Sequence, residues 1–180
     1  MKKLILVMLL ACAVLLNACG SEQKTEKKQV AEQPVKQTEQ VKKEQSFVVY
    51  RAAADGSEKL LAEKFTIADN GKSAAENALI TLVTTKPQDA RMDDVFPIGT
   101  KVLGLRVDEK GVAYADFSKQ LVKKGQGSYN EMMQCYAIVN TLTEFPNIKK
   151  VQIMLEGKRV TTLSGHMDIE EPLVRNISLL

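Results

Sequence analysis

The sequence has no tryptophan, a single histidine and only three cysteines in 180 residues. Each scarcity excludes something. His166 is the lone histidine, and Cys135 is the only cysteine beyond residue 19. Zinc sites built from several His and Cys ligands are therefore out, as is a Cys-pair redox motif. A disulfide within the folded part has no second cysteine to use. Charge of one sign is also scarce. The formal charge is +3, but residues 46–180 hold 17 Lys and Arg against 17 Asp and Glu. The surplus comes from Lys2, Lys3 and the stretch 21–45, with six Lys and five Glu. A nucleic-acid domain needs basic excess to displace counterions from phosphate, and this domain has none. The one long apolar run, Leu4 to Leu16, has thirteen residues. A spanning helix needs about 20.

What is present is ordinary globular material: 44% hydrophobic, 26% charged and 5% aromatic residues. That is enough for one domain with a core and no covalent staple, since a chain of about 150 residues buries roughly 68–70% of its unfolded surface.

Residues 1–18 read as a signal peptide. Lys2-Lys3 is its positive start and Leu4–Leu16 its apolar centre. Leu16-Asn17-Ala18-Cys19 then has the form of a bacterial lipobox, with Leu at −3, small Ala at −1 and the cysteine to be lipidated. A diacylglyceryl group on Cys19 would hold the chain on the cell membrane at its extracytoplasmic face, since each buried CH₂ contributes about 0.8 kcal/mol. Residues 19–45 follow as a polar tether. Between 21 and 45 stand six Gln, six Lys and five Glu, with Pro34 and no helical apolar stripe. Such a segment cannot bury enough apolar surface to offset its ordering entropy, so it is expected to be disordered. Its charges nearly cancel, which favours a solvated spacer over a lipid- or wall-binding arm.

Residues 46–180 read as one α+β domain in the order ββαββαββ, a mixed, largely antiparallel sheet with two helices on one face. Phe47-Val48-Val49-Tyr50 and the alternating Leu60–Ile67 predict strands. Ser73 and Glu76 form a capping box, followed by Ala75, Leu79, Leu82 and Val83 at helical spacing up to Thr84, short of Pro87. Val102–Val107 and Val112–Phe117 flank a turn closed by Gly111. Ser128 and Glu131 form a second capping box, with Met132, Cys135, Val139 and Leu142 as the apolar stripe before Pro146. Val151–Glu156 and Arg159–Leu163 flank Gly157-Lys158, read as a Gly-first hairpin turn.

Chemistry-bearing residues are thin. Ser164, His166 and Asp168 are neighbours in sequence, but a triad needs three groups converging in space, and no nucleophile elbow is present. His166 is better read as a polar loop histidine. Asp168, Glu170 and Glu171, like Asp93 and Asp94, lack calcium-loop spacing and read as solvated acids. Gly125-Gln126-Gly127 precedes a helix start without the Lys-hydroxyl pair of a phosphate loop, and reads as a flexible loop. Cys135 sits on the apolar stripe and reads as a buried thiol. Asp116 and Ser118 close a strand, where such residues commonly cap turns. No metal, cofactor or catalytic set is expected.

Several elements together resemble the GerMN domain of spore germination and sporulation proteins. They are Phe47–Tyr50, Ala78-Leu79-x-x-Leu82, Pro97-x-Gly99-Thr100, Val112-x-x-x-Asp116-Phe117-Ser118, Asn140-Thr141-Leu142-Thr143, Val151-x-Ile153 with Gly157, and Pro172-Leu173-x-Arg175. The family's usual Gly-Pro after the first helix is Lys86-Pro87 here, and the domain occurs once. The resemblance implies a non-enzymatic envelope lipoprotein with a small α/β module like the ring-building motifs of sporulation secretion complexes. It supplies no catalytic residues. Arg175, with Asp116 and Ser118, is the candidate binding set, because a guanidinium makes forked bonds to carboxylates. The plainer reading is an internal pair for Arg175, with Asp116 as the first partner to consider.

Two classes of function follow. One is a binding or assembly module that contacts another envelope protein or a second copy of itself. The other recognises peptidoglycan or a small solute in a concave pocket. A hydrolase using His166 is a distant third.

Overall fold

The computed structural model describes residues 43–180. The signal peptide, Cys19 and nearly all of the tether lie outside the described residues. The first strand opens at Glu44, so the last two residues assigned to the tether already belong to it.

Ten residues, Glu44–Ala53, form β1 and pair antiparallel with β2, Leu60–Ala68. Phe47 and Phe65 stand opposite in register and stack with ring centroids 6.2 Å apart. Helix α1, Ala74–Thr84, starts where the capping box placed it: the Ser73 side chain accepts the Glu76 amide at 3.1 Å. Leu79, Leu82 and Val83 are buried as the spacing predicts. A two-residue strand β3, Met92–Asp93, pairs with the end of β1. Strands β4, Val102–Val107, and β5, Val112–Phe117, form the expected hairpin. Helix α2, Ser128–Leu142, leads into β6, Lys150–Leu155, which runs parallel to β5. Two short strands close the fold: β7, Lys158–Arg159, and β8, Leu173–Val174, both antiparallel to β6.

The α+β class with two helices and mixed, largely antiparallel strands is as the sequence predicts. Its arrangement differs in two ways. The strands sort into two sheets, β2-β1-β3 and β4-β5-β6-β7 with β8 beside β6, rather than one. The helices touch both sheets rather than one face of a single sheet: α1 meets β1 and β4, while α2 meets β1 and β6. Adjacent residues of β1 show this division. Arg51 turns to the end of α1, donating to the Leu82 carbonyl at 3.2 Å and the Thr85 hydroxyl at 2.8 Å. Tyr50 turns to the end of α2, its amide on the Thr141 hydroxyl at 2.9 Å.

Arg51 is almost fully buried, and its Nε donates to Glu63 on β2 at 2.5 Å. The second oxygen of Glu63 accepts the Gln88 amide at 2.7 Å. This pair ties β1, β2 and the chain leaving α1 together. A buried charge pair survives in a core only when its remaining donors and acceptors are satisfied, as here.

The last hairpin is shifted by one residue from expectation. Met154 pairs with Arg159 and Leu155 with Lys158, so the turn is Glu156-Gly157. Both have positive φ, 48° and 78°, the pattern of a type I′ turn rather than the Gly-first kind. The strand expected over Arg159–Leu163 ends at Arg159, because the chain beyond is drawn to α2.

Candidate functional site

A groove of about 380 Å³, gathered from separate parts of the chain, lies over the outer side of α2. Helix α2 is buried around most of its circumference. Its accessible stripe is Tyr129, Met132 and Tyr136, spaced i, i+3 and i+7 on one face. The remaining lining comes from Ser128 at the start of α2, Glu58 in the β1–β2 turn, His166 and Met167 in the loop after β7, and Asn176 after β8.

Each wall is held by named bonds. The Tyr129 hydroxyl donates to the Ser57 carbonyl at 3.0 Å, which fixes the β1–β2 turn against the helix. Burial, with the nearby charges of Asp93, Asp55 and Glu58, raises its pKa above the ordinary value. Asn140, fully buried, donates from Nδ2 to the Asn176 carbonyl and accepts the Asn176 amide, both at 2.9 Å. This two-way clamp seats the C-terminal segment on α2.

The third wall depends on Glu131. It is fully buried, and its carboxylate takes the 162–166 loop. Oε1 accepts the Thr162 hydroxyl at 2.6 Å and the amides of Leu163 and Ser164 at 2.9 Å each. Oε2 accepts the His166 amide at 2.9 Å. Burial works against the charged form, but these four donors outweigh it and lower the carboxyl pKa below its ordinary value. Here the second capping box fails. The N-cap of α2 is Gly127, with no side-chain cap, because Glu131 is committed to a loop 31 to 35 residues away.

His166 Nε2 donates to the Gln126 carbonyl at 3.1 Å. Gln126 is itself buried and donates to Gln134, which donates to the Leu121 carbonyl. The Gly125–Gly127 segment is thus tied into the fold by its central side chain. Ser164 and Asp168 are not brought to His166 by hydrogen bonds: Ser164 Oγ has no partner, and Asp168 accepts the Glu170 amide. Among the described residues no three His, Cys, Asp or Glu side chains gather as a metal-binding group. None of their helices is long and apolar enough to cross a membrane.

The candidate binding residues lie elsewhere, and Arg175 bonds to neither Asp116 nor Ser118, which stand together at the end of β5. Arg175 is paired internally with Glu144, and it also donates to the Asn140 carbonyl at 3.0 Å and the Tyr50 hydroxyl at 2.9 Å. The expected partner Asp116 instead receives the Gly157 amide on both oxygens, at 2.9 and 3.0 Å, and so caps the β6–β7 turn. Ser118 is buried and accepts the Lys101 amide at 3.1 Å. Cys135 is buried as expected, and burial, with the Glu131 charge adding to it, pushes its thiol up to about 12. Met132, assigned to the buried stripe, lines the groove instead. The sequence signal for the groove was the Tyr129-Met132-Tyr136 spacing; Glu58 and Asn176 carry none.

The comparisons with known proteins agree with this fold. The Germane family, described as sporulation and spore germination, matches residues 21–161. The first GerMN domain of the sporulation protein GerM from Bacillus subtilis is 25% identical with a TM-score of 0.62, covering 73% of this chain and 98% of that one. The tandem GerMN domains of the same protein give 23% identity and a TM-score of 0.62, again over 73% of this chain. The chain spans about half of that tandem structure, 46%. A putative lipoprotein from Clostridium perfringens gives 21% identity and a TM-score of 0.51, over 73% and 87% of the two chains. The comparison with curated protein sequences gave no match. With a family match over most of its length and a fold similar to solved GerMN domains, the chain belongs to the Germane family of sporulation and spore germination and carries a GerMN-like domain.

Proposed function

We propose that the chain is a lipid-anchored envelope protein whose GerMN-like domain works by binding other envelope components rather than by catalysis. The observation that carries this reading is the groove over α2. Two tyrosines and two methionines line it together with the polar Glu58, Ser128, His166 and Asn176. Tyrosine supplies large contact area at low entropic cost, and methionine adapts its shape to a partner. His166, the one imidazole available, spends its Nε2 on a backbone carbonyl. Arg175, Asp116 and Ser118 enter this reading as framework groups that hold the C-terminal segment, the last turn and the start of β4.

The anchor is Cys19, at the head of the 19–45 tether. Mass spectrometry of the N-terminal peptide from membranes tests it. A chain beginning at a diacylglyceryl-modified Cys19 is expected, with Cys19→Ala leaving the signal peptide uncleaved. An unmodified or uncut native chain contradicts it.

The polar edge of the groove favours a second reading, recognition of peptidoglycan or a small solute. Sedimentation of the full chain with purified sacculi separates the two. Partner binding predicts that sacculi alone do not retain the chain. Retention that is lost in Met132→Arg would move the occupant from protein to wall.

A further inference from the structure

The outer face of the second sheet carries a feature unconnected with the groove over α2. The register sets Arg106 opposite Tyr114, Gly104 opposite Asp116, and Arg159 opposite Met154. The Arg106 guanidinium lies 4.1 Å from the Tyr114 ring centroid, and that of Arg159 lies 5.9 Å from it. With Leu105 and Met154 they line an open groove of about 380 Å³. Gly104 helps keep it open: a Cβ there would meet nothing within 4 Å.

Two carboxylates stand nearby, Asp116 in the groove lining and Asp108 beside Tyr114, and the fold's own donors hold both. The Val112 and Lys110 amides, the Tyr114 hydroxyl and the Arg106 charge keep Asp108 ionised. Asp116 takes the Gly157 amide, and Asp108 takes the amides of Lys110 and Val112 and the Tyr114 hydroxyl. Neither Arg106 nor Arg159 makes a hydrogen bond or ion pair among the described residues. Each guanidinium therefore presents its N–H donors without an acceptor. Stacking on the tyrosine restricts the Arg106 head group in advance, which lowers the entropy lost on binding.

We propose that this face binds an extended acidic segment of a partner protein, whose carboxylate is received between Arg106 and Arg159 over Tyr114. A carboxylate matches the forked donors of guanidinium groups. A segment crossing this face over β5 sets its carboxylate at that point, whereas one paired to the free edge of β4 would lie about two strand spacings, roughly 10 Å, from Tyr114. The site shares no residue with the groove over α2, so either can fail without the other.

The test uses the full chain in detergent and a dye-labelled, end-blocked peptide of alternating Asp and Val, followed by fluorescence anisotropy. The alternating Asn and Val peptide is the uncharged control, and inorganic phosphate is a competitor. The Asp peptide is expected to bind about tenfold more tightly than the Asn peptide. Arg106→Gln and Arg159→Gln are each expected to weaken it by about fivefold or more while the domain stays folded, because both side chains are exposed. Met132→Arg in the other groove is expected to leave it unaltered. No binding, equal affinity for both peptides, or indifference to both arginine variants overturns the proposal. So does phosphate displacing the peptide at equal concentration, which would mark a phosphate site instead.

Discussion

Glu131 on α2 accepts the His166 amide at 2.9 Å, and through that bond a buried helix carboxylate sets one wall of the groove. Hydrogen bonds to charged groups contribute about 1.5–3 kcal/mol. Glu131→Gln is expected to cost roughly that amount, and Glu131→Ala more, since it leaves buried amides unpaired. Denaturant unfolding measures both. The pH dependence has a definite sign. The folded-state pKa lies below the ordinary 4.5, so the unfolded chain takes up this proton first as pH falls. The contribution is whole above pH 4.5 and is lost as pH drops through the lower folded value. Glu131→Gln should flatten that part of the stability profile.

Arg175 joins the C-terminal segment to α2 and β1 through Glu144, Asn140 and Tyr50. Arg175→Ala is therefore expected to lower stability by about 1.5–3 kcal/mol. Arg175→Lys should recover only part of it, because an ammonium cannot reproduce the fork. Hydrogen exchange should show the loss concentrated after β8.

Two glycines separate conformational strain from crowding. Gly157 has φ +78° and open space where a Cβ would stand, so Gly157→Ala is expected to cost about 1–2 kcal/mol. Gly111 has φ +81°, and a Cβ there would stand 3.0 Å from the Asn147 carbonyl oxygen and 3.2 Å from Lys149 Cγ. Gly111→Ala should cost about 2–5 kcal/mol, strain and overpacking together. Equal unfolding midpoints for the two variants would contradict this.

Cys135 should be chemically silent while the domain is folded. With its thiol pushed up to about 12 by burial, about one part in ten thousand is thiolate at pH 8. Iodoacetamide labelling followed by peptide mapping is expected to mark Cys135 only after denaturation. Labelling of the native protein would mean that α2 opens readily.

Local signals served well where nothing distant competed with them. Ser73 caps α1 because no other group claims its hydroxyl, and the β4–β5 turn closes at Gly111 as its sequence predicts. Ser128 and Glu131 have the same spacing, yet the 162–166 loop offers Glu131 four donors against the one available at a helix start. No window of neighbouring residues contains that competition. The pairing of Arg175 with Glu144 rather than Asp116 is of the same kind, a choice made by tertiary distance. The division into two sheets also escaped, since strand patterns carry periodicity but not which strands become neighbours. Within the groove, the Tyr129, Met132 and Tyr136 spacing is present in the sequence, yet the apolar pattern assigns Met132 to the core, and Glu58 and Asn176 reach the groove only through the Ser57 and Asn140 contacts.

The most direct measurement replaces Met132 with a photo-cross-linking residue in the full chain and illuminates cells that make it. A second variant carries the same residue at Lys64, exposed on β2 and remote from the groove lining. A binding module acting through α2 predicts a discrete protein adduct from position 132 and none from position 64. No adduct from 132, or the same adducts from both positions, would contradict it.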